Sequence, residues 1–375
     1  MSKIIRVSEP YLSGLEKENV MDAINASEIS GTYGKYISKF EQEFAELTGN
    51  KFGISTSNGT TALHTALSAI GIGSGDEVLV QTLTNMASVF SIVYTGAKPI
   101  PVDVDQTTCN IDVNIIRAKI TKKTKAIMVV HLFGHSVDMD PILKIAKEFN
   151  LFVIEDCAEA HGALYKGRKI GSIGHIACFS FYANKILTTG EGGMVVTNNE
   201  ELANKSRSLR SFAYGPSNNR FMHQQIGFNY RMSNLTAAFG CGQLPLLDEV
   251  ISLKRKIASR YIYNLKDVRV LQLPVEKDYA YNVYWMFHVV LIGDAQGYRN
   301  FIISELGKNG IEARESFTPF NMQKIFQDQG LVKENDCPVA NYIGLNGFYL
   351  PSGPKISNRD IDYVSESLIN ILDDI

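Results

Sequence analysis

Hydrophobic positions fall into two rhythms along the first two-thirds of the chain. Short runs rich in Val, Ile and Phe lie at 52–57, 77–82, 98–103, 126–132, 152–156, 176–181 and 193–197. Several are apolar at successive positions, as strands covered on both faces are. Between them the spacing predicts helices at 60–70, 114–120, 139–149 and 200–209. Strands alternating with helices predict an α/β fold with a mostly parallel seven-stranded sheet. Ligands of such sheets sit at the carboxyl ends of the strands. A long helical stretch follows at 234–265, with Pro245 as its expected kink. The remainder, from about residue 267, is mixed: a strand at 283–292, a helix near 298–307 and a closing helix from Arg359. The expected division is a large domain at 1–248 and a smaller C-terminal α+β domain at 249–375.

Length and composition fit this picture and narrow the function. The chain has 375 residues, enough for a large domain plus a small one. Its net charge of −2 offers no electrostatic argument for nucleic acid or an anionic membrane. No apolar run approaches the ~20 residues that span a bilayer. The opening MSKIIRVSEPYLSG lacks the apolar core of a signal peptide. Five scattered cysteines with no Cys-x-x-Cys pair read as reduced thiols of a cytoplasmic protein.

Three segments carry candidate chemistry. In Ser55-Thr-Ser-Asn-Gly-Thr-Thr61 a strand closes and a helix opens. Gly59 permits close approach, and helix N-terminal amides suit a phosphate. In Ile154-Glu-Asp-Cys-Ala-Glu-Ala-His161, Asp156 ends an apolar strand. A carboxylate there needs a cation or hydrogen bonds, and a protonated pyridine nitrogen is such a cation. In the stretch from Cys178 to Gly193, Lys185 follows an apolar strand and precedes a Gly-rich turn. A lysine in a partly buried site gives up its charge readily and becomes a nucleophilic amine. Each segment alone has an ordinary reading as a capped helix, a turn cap or a solvated loop lysine. Together they describe a pyridoxal-phosphate site: phosphate cradle, ring-nitrogen partner and Schiff-base lysine.

The same segments, with GDEVLVQT, YTGAKPIPVDVD, TKAIMVVHLFG, IGFNYRMSNLTAAFGCGQL and GIEAR, resemble the DegT family of sugar aminotransferases over essentially the whole chain. The YWMF and TTGEGGM stretches are most similar to the GDP-perosamine synthase subgroup. The resemblance implies the aspartate-aminotransferase fold, fold type I of the pyridoxal-phosphate enzymes. It implies L-glutamate as amino donor and a nucleotide-linked keto sugar such as GDP-4-keto-6-deoxymannose as acceptor. A UDP- or dTDP-linked sugar, or dihydroxyacetone phosphate, is the alternative. Lys185 and Asp156 would be catalytic, Glu159 would bond the ring hydroxyl, and Gly59, Thr60 and Ser180 would hold the phosphate. Asn85 would lie on the ring face. Asn229 would reach the cofactor of a neighbouring subunit, implying a homodimer with shared sites. Tyr33, His161, Arg231 and Phe317 are candidate substrate contacts.

Four positions depart from the family pattern: Gln81 for proline, Asn85 for an aromatic residue, His175 for aspartate and Asn321 for histidine. Asn85 and Asn321 are expected to bear on the acceptor. No metal is expected, because His131 and His135 straddle a strand end rather than sharing a helix face. Gly71-Ile-Gly-Ser-Gly-Asp76 follows a helix and precedes a strand, the reverse of a dinucleotide site. A dehydratase of the same ancestry would carry histidine in place of Lys185, and a mere binding module would not need the Asp156–Lys185 pair.

Overall fold

A computed structural model describes residues 4–215, 219–223 and 225–375. A seven-stranded sheet organises the first part: β1 (Phe52–Thr56), β2 (Glu77–Gln81), β3 (Lys98–Val102), β4 (Thr124–Val130), β5 (Phe152–Asp156), β6 (Ile176–Ser180) and β7 (Gly193–Thr197). Their spatial order is β1-β7-β6-β5-β4-β2-β3. Only β7 runs against the rest, pairing antiparallel with β1 and β6. All seven predicted strands form, several ending a residue early and the fourth shifted two residues toward the N-terminus.

Both faces of the sheet are covered, which explains the apolar runs. Leu79, Ile127, Val129, Val153, Met194 and Val196 enter one core with residues of α2 (Lys35–Thr48) and α5 (Met139–Phe149). Val78, Val80, Ala126, Met128, Ile154 and Val195 enter the other. There they meet α3 (Gly59–Ala69), α4 (Met86–Tyr94) and α6 (Glu200–Arg210). The period-two alternation of each strand thus feeds both cores.

Pro245 behaves as expected. α7 (Asn234–Gln243) gives way to a 3-10 turn at Leu244–Leu246, and α8 (Leu247–Leu265) continues from it. The first turns of α8 place Leu247, Val250 and Ile251 in the sheet core, and its later turns place Ile257, Ala258, Tyr261 and Leu265 in a third core. That third core covers a four-stranded antiparallel sheet of β8 (Leu271–Gln272), β9 (Phe287–Leu291), β10 (Arg314–Glu315) and β11 (Gly347–Leu350), in the order β8-β9-β11-β10. Helices α9 (Arg299–Lys308) and α11 (Asn358–Asp373) supply its remaining wall. The C-terminal part is therefore α+β. It docks on the large sheet through α10 (Pro338–Asn346), whose first amides, Val339 and Ala340, donate to the Asp103 carboxylate at 3.0 and 2.8 Å.

The predicted strand at 283–292 is shorter than expected. Its first residues turn instead, with Tyr284 at a left-handed φ of 49°, and the strand proper begins at Phe287. The apolar pattern there marks burial rather than extension. Helices α1 (Leu15–Asn25) and α2 were not anticipated. The N-terminus of α2 is held from outside: Asn234 Oδ1 accepts from the amides of Tyr36 and Ile37 at 3.0 and 3.1 Å. No helix of the described residues is long and apolar enough to cross a membrane.

Glu155 is fully buried beside Asp156 but faces the opposite side of the sheet. Its carboxylate accepts from the amides of Gly171, Ile173 and Gly174 at 3.0, 2.9 and 2.6 Å. It also lies 3.2 Å from His131 Nε2. His131 Nδ1 accepts from the Val137 amide at 3.0 Å, so the ring proton sits on Nε2 and points at Glu155. With Cys157 these two form a close group of potential metal ligands. The hydrogen bonds already occupy the ring nitrogens and both carboxylate oxygens. Burial alone would raise the Glu155 pKa, but His131 and the loop amides outweigh it and hold the carboxyl below its ordinary 4.5. Its stabilising contribution is therefore present above that value and is lost as pH falls through the folded pKa. Glu155→Gln should cost roughly 2–4 kcal/mol of stability at neutral pH in chemical denaturation. The gap to the wild type should begin to narrow below the ordinary value of 4.5 and close as pH falls through the lower folded pKa, where the native carboxyl takes up its own proton. An undiminished gap at low pH would contradict this assignment.

Candidate active site

The carboxyl ends of β1, β2, β5 and β6 and the turns that follow them open into a cavity of about 1040 Å³. Its lining includes Gly59, Thr60, Asn85, Asp156, Glu159, Ser180, Lys185 and Phe317. The fold thus brings together residues up to 291 positions apart, from Asn58 to Tyr349 (349 − 58).

At one end, Asn58 caps α3 in a reciprocal capping box with Thr61. The box satisfies Thr61 and leaves the Gly59 and Thr60 amides without hydrogen bonds among the described residues. A Cβ on Gly59 would lie 2.7 Å from the Ser180 Cβ, so only glycine lets the helix end and β6 converge there. Free amides at a helix N-terminus, with the Ser180 side chain close by, form an anion seat.

At the centre, Asp156 is 3% exposed. Its Oδ2 accepts from Ser88 Oγ at 2.7 Å and its Oδ1 from the Ala158 amide at 3.1 Å. Burial raises its pKa, and these two hydrogen bonds and the charge of Lys185 offset that only in part. A buried carboxylate in this state is short of a cation. Glu159 Oε2 accepts from the Phe133 amide at 2.9 Å, while Oε1 stands 3.9 Å from Lys185 Nζ. Burial pushes Glu159 up and Lys185 down, and their mutual attraction opposes both shifts. The lysine side chain is 11% exposed, and its Nζ sits 3.9 Å from the centre of the Trp285 ring. These groups suit pyridoxal phosphate: an anion seat, a carboxylate lacking a cation and a buried amine.

Other assignments fare differently. His161 is 1% exposed, does not line the cavity and is wedged among Phe44, Phe179 and Phe181. Burial, and then the Lys185 charge, pushes its pKa down to about 3. It is corrected from a substrate contact to a neutral ring packed behind the site. Tyr33, Asn229 and Arg231 lie outside the cavity lining of this chain. Tyr33 is exposed, and Arg231 packs over the Phe212 ring at 5.3 Å. Asn321 is also corrected: it is fully buried and accepts from Thr82 Oγ at 2.6 Å, tying its segment to the end of β2. Sequence reasoning missed Ser88, Trp285, Tyr349 and, on the C-terminal sheet, Arg314 and Glu315. Trp285 had a signal, as the sole tryptophan within a marked YWMF stretch.

Residues 11–369 match the DegT/DnrJ/EryC1/StrS aminotransferase family. The chain belongs to that family. It is 44% identical over 369 residues to GDP-perosamine synthase of Escherichia coli O157:H7, covering 98% of each chain. Its fold matches an aminotransferase of Psychrobacter cryohalolentis with a TM-score of 0.91, 34% identity and 98% coverage of both chains. It also matches a Streptococcus pneumoniae protein solved in its PLP form, with a TM-score of 0.92, 25% identity and 99% coverage of both. This member of the family is a pyridoxal-phosphate-dependent aminotransferase.

Gly59→Ala should weaken pyridoxal phosphate binding about tenfold to a hundredfold, the worth of one or two charge-assisted hydrogen bonds. Absorbance titration of the cofactor-free chain measures it. Wild-type affinity in this variant would place the phosphate elsewhere.

Proposed function

We propose that this enzyme transfers the amino group of L-glutamate to the keto carbon of a nucleotide-linked sugar, GDP-4-keto-6-deoxymannose above all, yielding GDP-perosamine. The observation that carries the reading is the extent of the cavity. From the anion seat at α3 it continues past Lys185 to Asn300 and Ser304 of α9 and Arg314 and Glu315 of β10. About 1040 Å³ leaves ample room beyond the cofactor for a nucleotide sugar. Dihydroxyacetone phosphate would leave the far end unused. The 44% identity to GDP-perosamine synthase supports the choice of sugar and nucleotide.

Bound pyridoxal phosphate supplies an electron sink that makes the hydrogen beside the transferred amine acidic. The chain's own residues do the rest. Asp156, held by Ser88 and Ala158, would keep the proton on the ring nitrogen. Glu159, fixed by the Phe133 amide, would hydrogen-bond the ring hydroxyl. The Gly59 and Thr60 amides and Ser180 would bind the phosphate. Lys185 would hold the cofactor and would move the proton beside the transferred amine as general base and then general acid. Burial favours its neutral amine, the form this task requires. Phe317 would pack against the sugar.

The same reading places two chains together. Phe221, Met222 and Ile226 are 79, 63 and 86% exposed on the segment leading to Asn229. Leu12, Leu15, Met21 and Ile24 are exposed on and beside α1. Apolar surface of this extent suits a homodimer in which Asn229, and with it Tyr33 and Arg231, serves the partner's cavity. A large domain at 1–248 and a small one at 249–375 belong to the proposal, supported by the separate core that gathers residues from Ile257 onward, although Ile5 of the N-terminal segment joins it too. So does the cytoplasm, supported by five free, buried cysteines.

With L-glutamate and a panel of GDP-, UDP- and dTDP-linked keto sugars plus dihydroxyacetone phosphate, mass spectrometry should find amination of the GDP sugar. Amination of another acceptor alone would overturn the substrate assignment while leaving the aminotransferase. Lys185→Ala should lose at least two to four orders of magnitude in turnover. Near-normal turnover would remove Lys185 from its role.

A further inference from the structure

We infer that Trp285 is a positioning residue for Lys185, holding its free amine against the indole face whenever the lysine is not bonded to the cofactor. The catalytic lysine must let go of the cofactor and still stay in reach. A four-carbon stem with a free end has many rotamers, and burial supplies no direction by itself. The structure supplies one. Nζ stands 3.9 Å from the Trp285 ring centre, well within the range at which an aromatic face attracts an ammonium. The nearest carboxylate oxygen, Glu159 Oε1, is as far away at 3.9 Å, beyond hydrogen-bond range. The same indole grips the backbone beside the lysine: Trp285 Nε1 donates to the Asn184 carbonyl at 2.9 Å. Ring face and ring N–H therefore fix the end and the root of one side chain.

Trp285 is itself held by an unusual seat. It is 4% exposed and follows Tyr284, whose φ is 49°. The turn rests on Gly134, where a Cβ would lie 2.8 Å from both the Tyr284 and Trp285 nitrogens. The Val283 amide donates to the Gly134 carbonyl at 3.1 Å. Phe133, the neighbour of Gly134, also has a left-handed φ of 55° and donates its amide to Glu159. One loop after β4 thus places both groups that flank the lysine amine. Two non-glycine residues kept at positive φ imply surroundings that compel them.

The chain's single tryptophan makes the inference testable without altering the indole. Lys185 is also faced by Glu159 and Asp156 from the β5 turn, by His161 behind them and, through Glu159, by Tyr349 of β11. All four remain in Lys185→Met. In the full chain freed of cofactor, tryptophan emission should show a step with pH below the ordinary lysine range near ~10.4. That step should be missing in Lys185→Met. Identical profiles in the two proteins would overturn the inference. A second readout follows the pH dependence of the rate at which the chain takes up pyridoxal phosphate, since only the neutral amine reacts. Loss of the aromatic face in Trp285→Leu destabilises the ammonium. The midpoint should then fall by roughly half a unit to one unit. Trp285→Phe should restore it. A midpoint unmoved in Trp285→Leu would overturn the inference. The inference rests on Lys185 as the cofactor lysine and not on the acceptor, so a chain that aminates some other ketone would still show both effects.

Discussion

Everything at this site depends on keeping three ionisable side chains, Asp156, Glu159 and Lys185, inside the protein. Charges are expensive away from water unless they are paired or hydrogen-bonded. The chain compensates unevenly. Asp156 receives two hydrogen bonds and Glu159 one, while the lysine receives none from a carboxylate and meets an aromatic face. The consequence is a buried amine that sheds its proton easily beside a carboxylate still lacking a cation. A cofactor that carries a positive ring nitrogen and accepts an amine completes both deficits at once. This balance of charges, more than any single contact, makes the site suit pyridoxal phosphate.

The sheet makes this arrangement possible through its period of two. Glu155 and Asp156 are neighbours in sequence and point to opposite faces. One ties the 171–174 loop and His131 into the body of the protein. The other faces α4 and the cofactor seat. Exchanging their roles would require slipping β5 by one residue, which would also carry Val153 and Ile154 into the wrong cores. The apolar alternation that stabilises the sheet therefore also fixes which carboxylate serves the site.

Much of this was legible in the sequence, and the limits have physical causes. The seven strands were visible because they are short runs rich in Val, Ile and Phe, several of them apolar on both faces, and the Pro245 break because proline cannot donate within a helix. Gly59, Asp156 and Lys185 were visible because each sits at a strand end where its residue type is costly or unusual. Ser88 and Trp285 act on Asp156 and Lys185 from 68 and 100 residues away (156 − 88 and 285 − 185), a pairing that no local pattern carries. His161 misled because a polar residue five positions after Asp156 looks like part of the site, whereas the chain turns it into the phenylalanine layer behind. The exposed positions of Tyr33 and Asn229 are likewise invisible in the local pattern, because nothing in their neighbourhood along the chain encodes that they lie outside the cavity lining.

The four departures from the family pattern sort by what each side chain touches. Gln81 bridges two strand ends: its Nε2 donates to the Leu83 carbonyl at 3.1 Å and its Oε1 accepts from the Val130 amide at 3.2 Å. His175 Nδ1 accepts from the Val153 amide at 2.9 Å and fastens β5 to the start of β6. The buried Asn321 joins Thr82, the Glu334 carbonyl and Asn341 in one network. All three tie one segment to another and none lines the cavity. Asn85 alone of the four does. Its side chain accepts from the Ala87 amide at 3.0 Å as the cap of α4, the helix that carries Ser88 toward Asp156. An aromatic residue at this position would stack on the cofactor but could not cap the helix. The asparagine gives up that ring contact for a firmer start to α4, and so supports the Ser88 hydrogen bond to Asp156.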